Sequence, residues 1–323
     1  MKNELKTLSD AIRYFADDQV CINTVAAMRW PDGPQCPACL ARESRQHWLK
    51  NQRRWQCREC GKQYSVKVNT IFEDSAVKLD KWLTAMWLLA NCKNGVSSYE
   101  IHRSIGVTQK SAWFMLQRIR LAMKNQSLLK LGSGGDPVEM DETFIGGKLK
   151  NMHKGKKPKG TGFSGIAGGG MAKTIVVGML ERKGRVRAEV VMERSQPTLR
   201  AVANKHIAPG ASLVTDEWGG YKGINFEHAV VNHAVEYVNG QVHTQGIENF
   251  WALLKRSLGG TYISVEPFHL DRYVDEQAFR YNNRATADNP VTDADRFMLA
   301  LSQVSGRRLT YAELTGKVGE TTV

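Results

Sequence analysis

The chain has 323 residues, 42% of them hydrophobic, and its 45 Lys and Arg against 32 Asp and Glu give a formal net charge of +13. This is a globular composition that excludes a disordered polymer, and its length suits roughly two to four domains. The basic excess points to a polyanionic partner, nucleic acid above all, and no apolar run approaches the ~18 residues of a membrane helix.

Residues 1–34 read as an N-terminal helical segment. Its opening, MKNELKTLSDAIRYFADDQV, carries acids throughout and lacks the apolar core of a signal peptide. A cytoplasmic location is the expectation, and there the six cysteines are expected as thiols rather than disulfides. Four of them form CPAC (Cys36, Cys39) and CREC (Cys57, Cys60), with 17 residues between the pairs. That spacing is the one expected of a four-thiolate structural zinc site, in which each pair puts two sulfurs on one tight knuckle. The segment between them, RESRQHWLKNQRRWQ, suits a β-hairpin and carries five Arg or Lys. Gly61 follows the second pair, where a knuckle wants positive φ, and Leu40 holds the matching place after the first. Residues 35–66 are therefore expected to be a zinc ribbon whose folding and metal binding are one event. Cys21 and Cys92 are expected as buried small hydrophobes.

Residues 67–130 read as a helix-turn-helix region. DKWLTAMWLLANC (80–92) is an apolar helix; a short helix capped by Ser97 or Ser98 follows, broken at Gly106, with Thr108 capping the next. The second helix is expected to offer Gln109, Lys110, Gln117 and Arg118 to DNA. An ordinary helical hairpin is the competing reading.

LGSGGDP (131–137) reads as a boundary, and the texture then changes to strands and helices over an expected domain of 131–300, with a C-terminal tail at 301–323. VEMDETFIG is a strand; 148–170 is a Lys/Gly-rich loop that could reach a phosphate backbone; KTIVVGMLER and RVRAEVVMER are strands; PTLRAVANKHI is a helix; SLVTDEWGGY is a strand ending at Asp216. GIENFWALLKR is a helix, with Ile247, Trp251, Leu254 and Leu258 on one stripe, and Glu248 and Lys255 sharing another face. Asp141, Asp216 and Glu248 thus come from three separate elements, the arrangement of an RNase-H-like mixed-sheet nuclease or transposase core. There, three carboxylates hold divalent cations for phosphodiester chemistry, and Mg²⁺ or Mn²⁺ suits oxygen donors. Glu142 competes with Asp141, and Glu217 with Asp216, because sequence alone does not say which side of the strand faces the site.

These motifs in this order resemble a known family. RWPDGPQCPAC, CRECGKQYSV, NTIF, KWLTAMWLL, GVTQKSAWFMLQRIR, VEMDETFIGGK, VTDEWGGY, IENFWALLKRSLGGTY and YVDEQAFRYNNR are similar to those of bacterial insertion-sequence transposases. That group has an N-terminal zinc ribbon and an ISXO-two-like DDE domain and is related to the eukaryotic Merlin elements. The resemblance implies an α+β multidomain chain with Asp141, Asp216 and Glu248 as the catalytic, metal-holding acids. It makes Lys255 a phosphate contact beside them, with Arg256 as a further DNA contact, and Glu276 and Arg280 a supporting pair at i,i+4. Gln245 stands where related sequences often have Asn, so Gln245 or Asn249 competes with Glu248 for the third position.

The implied function is a metal-dependent DNA transposase. It binds the terminal inverted repeats of its element, cuts a strand at each end and joins the freed ends to target DNA as a dimer or higher oligomer in a nucleoid-associated location. Two alternatives are an RNase-H-fold nuclease or resolvase, and a DNA-binding regulator whose nuclease-like domain is not catalytic.

Overall fold

Side-chain caps start the chain's first two helices. Thr7 and Asp10 close a capping box on α1 (Leu8–Tyr14), and Asp17 caps α2 (Asp18–Arg29) by accepting the Gln19 N–H. In this computed structural model the described residues are 5–124, 127–147, 173–182, 184–217, 219–221, 223–231, 244–287 and 289–317. The expected Lys/Gly-rich loop at 148–170 and the end of the tail beyond 317 lie outside them.

The ribbon is a three-stranded antiparallel sheet, β1 (Gln46–Leu49), β2 (Arg54–Cys57) and β3 (Gln63–Tyr64), in that order. Trp48 stands opposite Trp55 with ring centroids 4.5 Å apart, and Trp30 meets Trp55 edge-on at 5.3 Å. These aromatics supply the little apolar packing such a small sheet has. Three helices follow: α3 (Leu79–Asn91), α4 (Ser98–Ile105) and α5 (Gln109–Met123). A Ser97–Glu100 capping box starts α4, Gly106 ends it at φ +62°, and Thr108 caps α5. That is the expected short turn between two helices.

The next stretch builds β4 (Val138–Ile145), β5 (Thr174–Glu181), β6 (Val186–Val191), α6 (Gln196–His206), β7 (Ser212–Asp216) and β8 (Glu227–Val231). Helices α7 (Gln245–Ser257) and α8 (Leu270–Asn282) follow. The sheet order is β6-β5-β4-β7-β8, with β4, β5 and β6 antiparallel and β4, β7 and β8 parallel. The sequence reading did not include β8. One face of the sheet packs Val138, Met140, Val177 and Met179 against α6, and the other packs Val176, Leu180 and Val186 against α7 and α8. Side chains alternate along β4, so Glu139, Asp141 and Thr143 face α7 while Glu142 faces α6.

Two further helices, α9 (Asp293–Ser302) and α10 (Tyr311–Leu314), belong to the first part of the chain. By contacts the chain divides into Met1–Lys124 with Asn283–Val323, and Asn125–Asn282. This corrects the expected extent of 131–300 and the tail at 301–323. Residues after 282 leave the mixed sheet, and α9 packs on α2, α3 and α5. Phe297 of α9 meets Phe15 at 5.5 Å and Trp87 at 5.4 Å.

Burial also corrects two expected DNA contacts. Gln117 and Arg118 are buried, at 0% and 4% exposure. Arg118 donates to the carbonyls of Ile71, Glu73 and Leu309, and its guanidinium lies over Phe114. Its charge is spent tying the C-terminal segment to α5, and no face remains for a phosphate.

Candidate functional site

There are two groups of chemistry-bearing residues, one in each unit. In the ribbon, the sulfurs of Cys36, Cys39, Cys57 and Cys60 lie within 4.8 Å of one another. Cys36 and Cys60 are 3.6 Å apart and Cys39 and Cys57 3.5 Å, close to the edge of about 3.8 Å that a tetrahedron of Zn–S bonds near 2.3 Å requires. Each pair sits on a matched knuckle: the N–H of Leu40 donates to the Cys36 carbonyl and that of Gly61 to the Cys57 carbonyl, with φ of +62° and +71°. Leu40 thus takes the left-handed conformation without being glycine, and its side chain is 66% exposed. Backbone N–H groups of Cys60 and Glu59 pull the Cys57 thiol down, while Cys39 beside it is pushed up, as expected where neighbouring thiols share protons. Four soft donors in a preset geometry fit zinc, and all four positions are protein, which makes the site structural.

The second group lies where β4 and β7 run side by side. The parallel ladder ends with Glu139 opposite Val214; carried on by two residues, that register runs Asp141 and Asp216 toward the same end of the neighbouring strands, and the charge of Asp216 acts on Asp141. Asp141 is largely buried, and burial together with the charges of Glu142 and Asp216 raises its carboxyl to about 6, against backbone and Trp251 hydrogen bonds that lower it. Glu142, the competing acid, is committed elsewhere. It accepts from Arg194 at 2.9 and 3.3 Å and from the buried Tyr221 hydroxyl at 2.6 Å; burial first, and then the Glu142 charge, pushes the Tyr221 pKa up. Arg194 also reaches to 4.0 Å from Asp216. Glu217 is exposed just past the end of β7.

Glu248 sits in the first turn of α7, exposed, with the Thr244 hydroxyl 3.3 Å from its Oε1. Gln245 and Asn249 are exposed on the same turn. Among the described residues the four cysteines form the only set of three or more ligand atoms within 4.8 Å, so the three acids do not close to that span. Lys255 and Arg256 are exposed on the last turn of α7. In the first unit, Lys110 is exposed with its amine 4.6 Å above the Tyr311 ring, and Gln109 is half-buried against Ser98. Glu276 and Arg280 pair with each other on α8 at 0% and 8% exposure, and Tyr262 donates to Glu276 as well.

Sequence reasoning missed what seats α7. The buried carboxylate of Glu139 accepts the Ile247 N–H at 2.9 Å, at the helix's positive end, and also meets Arg182 at 3.3 Å. Trp251 donates its indole N–H to Asp141 at 2.9 Å. A Cβ on Gly246 would lie 2.4 Å from Leu180 Cδ2, and one on Gly178 2.5 Å from the Trp251 ring, so both glycines are close-approach points. The glycine inside the strand pattern KTIVVGMLER was the available signal.

Residues 16–63 match the transposase zinc-ribbon domain and residues 133–282 the ISXO2-like transposase domain. An uncharacterized protein in the transposable element ISH50 of Halobacterium salinarum is 25% identical over 256 residues, covering 76% of this chain and 85% of that protein. The two domain matches together span more than half the chain, in the order ribbon then mixed sheet. The chain belongs to the insertion-sequence transposases that join a zinc ribbon to an ISXO2-like domain.

Proposed function

We propose that the chain is a DDE transposase in which Asp141, Asp216 and Glu248 hold divalent cations and cut and rejoin DNA strands. The observation that carries this is that Asp141 and Asp216 lie on adjacent parallel strands, with the charge of Asp216 acting on Asp141, and that α7 packs on the Asp141 face of β4. The order β6-β5-β4-β7-β8, with its antiparallel and parallel halves, supports the RNase-H-like reading. Hard oxygen donors and a carboxyl raised to about 6 by burial and neighbouring acids are what Mg²⁺ or Mn²⁺ would relieve. When bound, the metal polarises the scissile phosphate and activates the attacking oxygen.

The chain's own residues divide the remaining work. Lys255 and Arg256 neutralise phosphates of the bound end, and Lys110 with the ribbon's Arg and Lys residues neutralises those of flanking DNA. Glu276 and Arg280 brace α8 beneath α7. Cutting two ends calls for at least two protomers, and DNA work of this kind takes place on the nucleoid.

The test is strand cleavage and joining on an end-containing duplex with Mg²⁺ or Mn²⁺. Asp141→Ala, Asp216→Ala and Glu248→Ala are each expected to lose more than about a hundredfold in rate. Parent-like cutting by all three sinks the assignment. Loss in the first two with parent-like cutting in the third moves the third position to Gln245 or Asn249. Cutting without joining favours a nuclease.

A further inference from the structure

We propose that Trp251 is the positioning residue of Asp141: its indole N–H fixes the aspartate's carboxylate where the second unit receives a divalent cation. The inference rests on the reading of Asp141 and Asp216 as a cation site.

The indole is 4% exposed, and its Nε1 lies 2.9 Å from Asp141 Oδ2. A buried indole N–H needs an acceptor, and here the acceptor is a carboxylate whose other close charges, Glu142 and Asp216, are themselves acids. The backbone is cut away for this ring. Gly178 is the residue opposite Asp141 in the β4–β5 ladder, and a Cβ there would come within 2.5 and 2.6 Å of the indole's Cη2 and Cζ2. A side chain at 178 would push the ring off Asp141.

One helical turn earlier, Glu139 takes the Ile247 N–H, and Gly246 lets the helix come down onto Leu180 and Glu139. Helix and strand are therefore pinned at two points that match in register. Glu139 meets Ile247, and two residues along the strand Asp141 meets Trp251, four residues along the helix. With the first point fixed, the indole has little freedom to leave Asp141. A carboxylate with a fixed rotamer meets an incoming cation without losing that freedom on binding, which is how outer hydrogen-bond partners raise metal affinity.

A purely structural bond would serve the tryptophan alone, and its removal would cost stability without touching the metal. The two roles separate in calorimetric Mn²⁺ titrations of the zinc-loaded full chain, with thermal unfolding run beside them. Trp251→Phe keeps a ring over Gly178 and deletes the donor. It is expected to hold its Tm within ~5 °C and to weaken Mn²⁺ binding by about tenfold. Gly178→Ala, which keeps the donor but displaces it, is expected to weaken binding by a similar factor, and it decides the question if Trp251→Phe does not fold. Mn²⁺ should also quench the part of the emission that Trp251→Phe lacks.

Asp141→Asn separates this inference from the reading beneath it. Loss of Mn²⁺ binding in Asp141→Asn, with parent-like binding in Trp251→Phe and Gly178→Ala, overturns the positioning role and leaves the cation site standing. Parent-like binding in Asp141→Asn overturns both.

Discussion

The ribbon and the acid pair are both sites of metal-binding residue types, and they are built in opposite ways. The ribbon's four sulfurs come from two knuckles whose geometry is set within a few residues, by Leu40 and Gly61 at positive φ. Its sheet has little apolar packing beyond a few aromatics, so the metal is the core. The acid pair has no local geometry of its own. Asp141 and Asp216 are neighbours because β4 and β7 pair in parallel, and α7 reaches them because Glu139, Gly178 and Gly246 let it. Its frame is held by two apolar layers. In the ribbon the four thiolates stand in for a core, whereas the acid pair is carried on a core of apolar side chains.

The sharpest way to break that contrast is to remove zinc. Structural zinc binding in small ribbons is worth about 10–16 kcal/mol, so chelation or Cys57→Ser is expected to unfold β1–β3. The loss would be read as bound zinc released and as the near-ultraviolet dichroism of Trp48 and Trp55 collapsing, while the mixed-sheet unit keeps its melting transition. Persistence of the Trp signal after zinc is gone would make the two regions alike.

A smaller effect is expected from Gly246→Ala. The added methyl meets Leu180 at 2.4 Å and Glu139 at 2.8 Å, and overpacking of this kind costs about 1–3 kcal/mol. The melt of the mixed-sheet unit should move down while zinc content stays at the parent level. No shift would mean that α7 is seated less closely than the two hydrogen bonds on β4 require.

The smallest effect carries a sign. Asp141 titrates near 6 in the folded chain against an ordinary 3.8. Below 3.8 both states hold the proton. Between 3.8 and about 6 the folded state keeps a proton that the unfolded state has released, so stability falls as pH rises through that window. Above it the cost is complete, about 1–2 kcal/mol after allowance for solvent screening. Asp141→Asn is therefore expected to be the more stable protein at pH 7 without metal, with the advantage disappearing toward pH 4. Metal-free melts across that range check it, and an unchanged difference at both ends would remove the strain assigned to this carboxylate.

What could be read in advance follows the same division. Cys36, Cys39, Cys57 and Cys60, the Ser97 and Thr108 caps and the Gly106 turn are legible because each acts on residues a few positions away. Asp141 and Asp216 could be named, but choosing Asp141 over Glu142 needed the strand's register, which only the paired sheet supplies. Trp251 showed as part of an apolar stripe, and nothing in the stripe marks its N–H as Asp141's partner. Arg118 misled because one of the carbonyls that takes up its charge, that of Leu309, is 191 residues away. The short strand EHAVV has too few residues to declare an alternation.

The return of α9 to the first unit has a consequence for how the protein is made. The apolar face that α3 and α5 turn toward α9 stays uncovered on the ribosome until residues near 302 have emerged. Every residue of the mixed sheet is synthesised in the interval. The basic, helix-bearing unit is therefore finished last, although it is begun first. A chain interrupted before Phe297 carries a complete acid-bearing sheet and a ribbon-bearing unit that has not yet closed. Translation order thus makes the ribbon-bearing unit complete only in chains that already carry the acids.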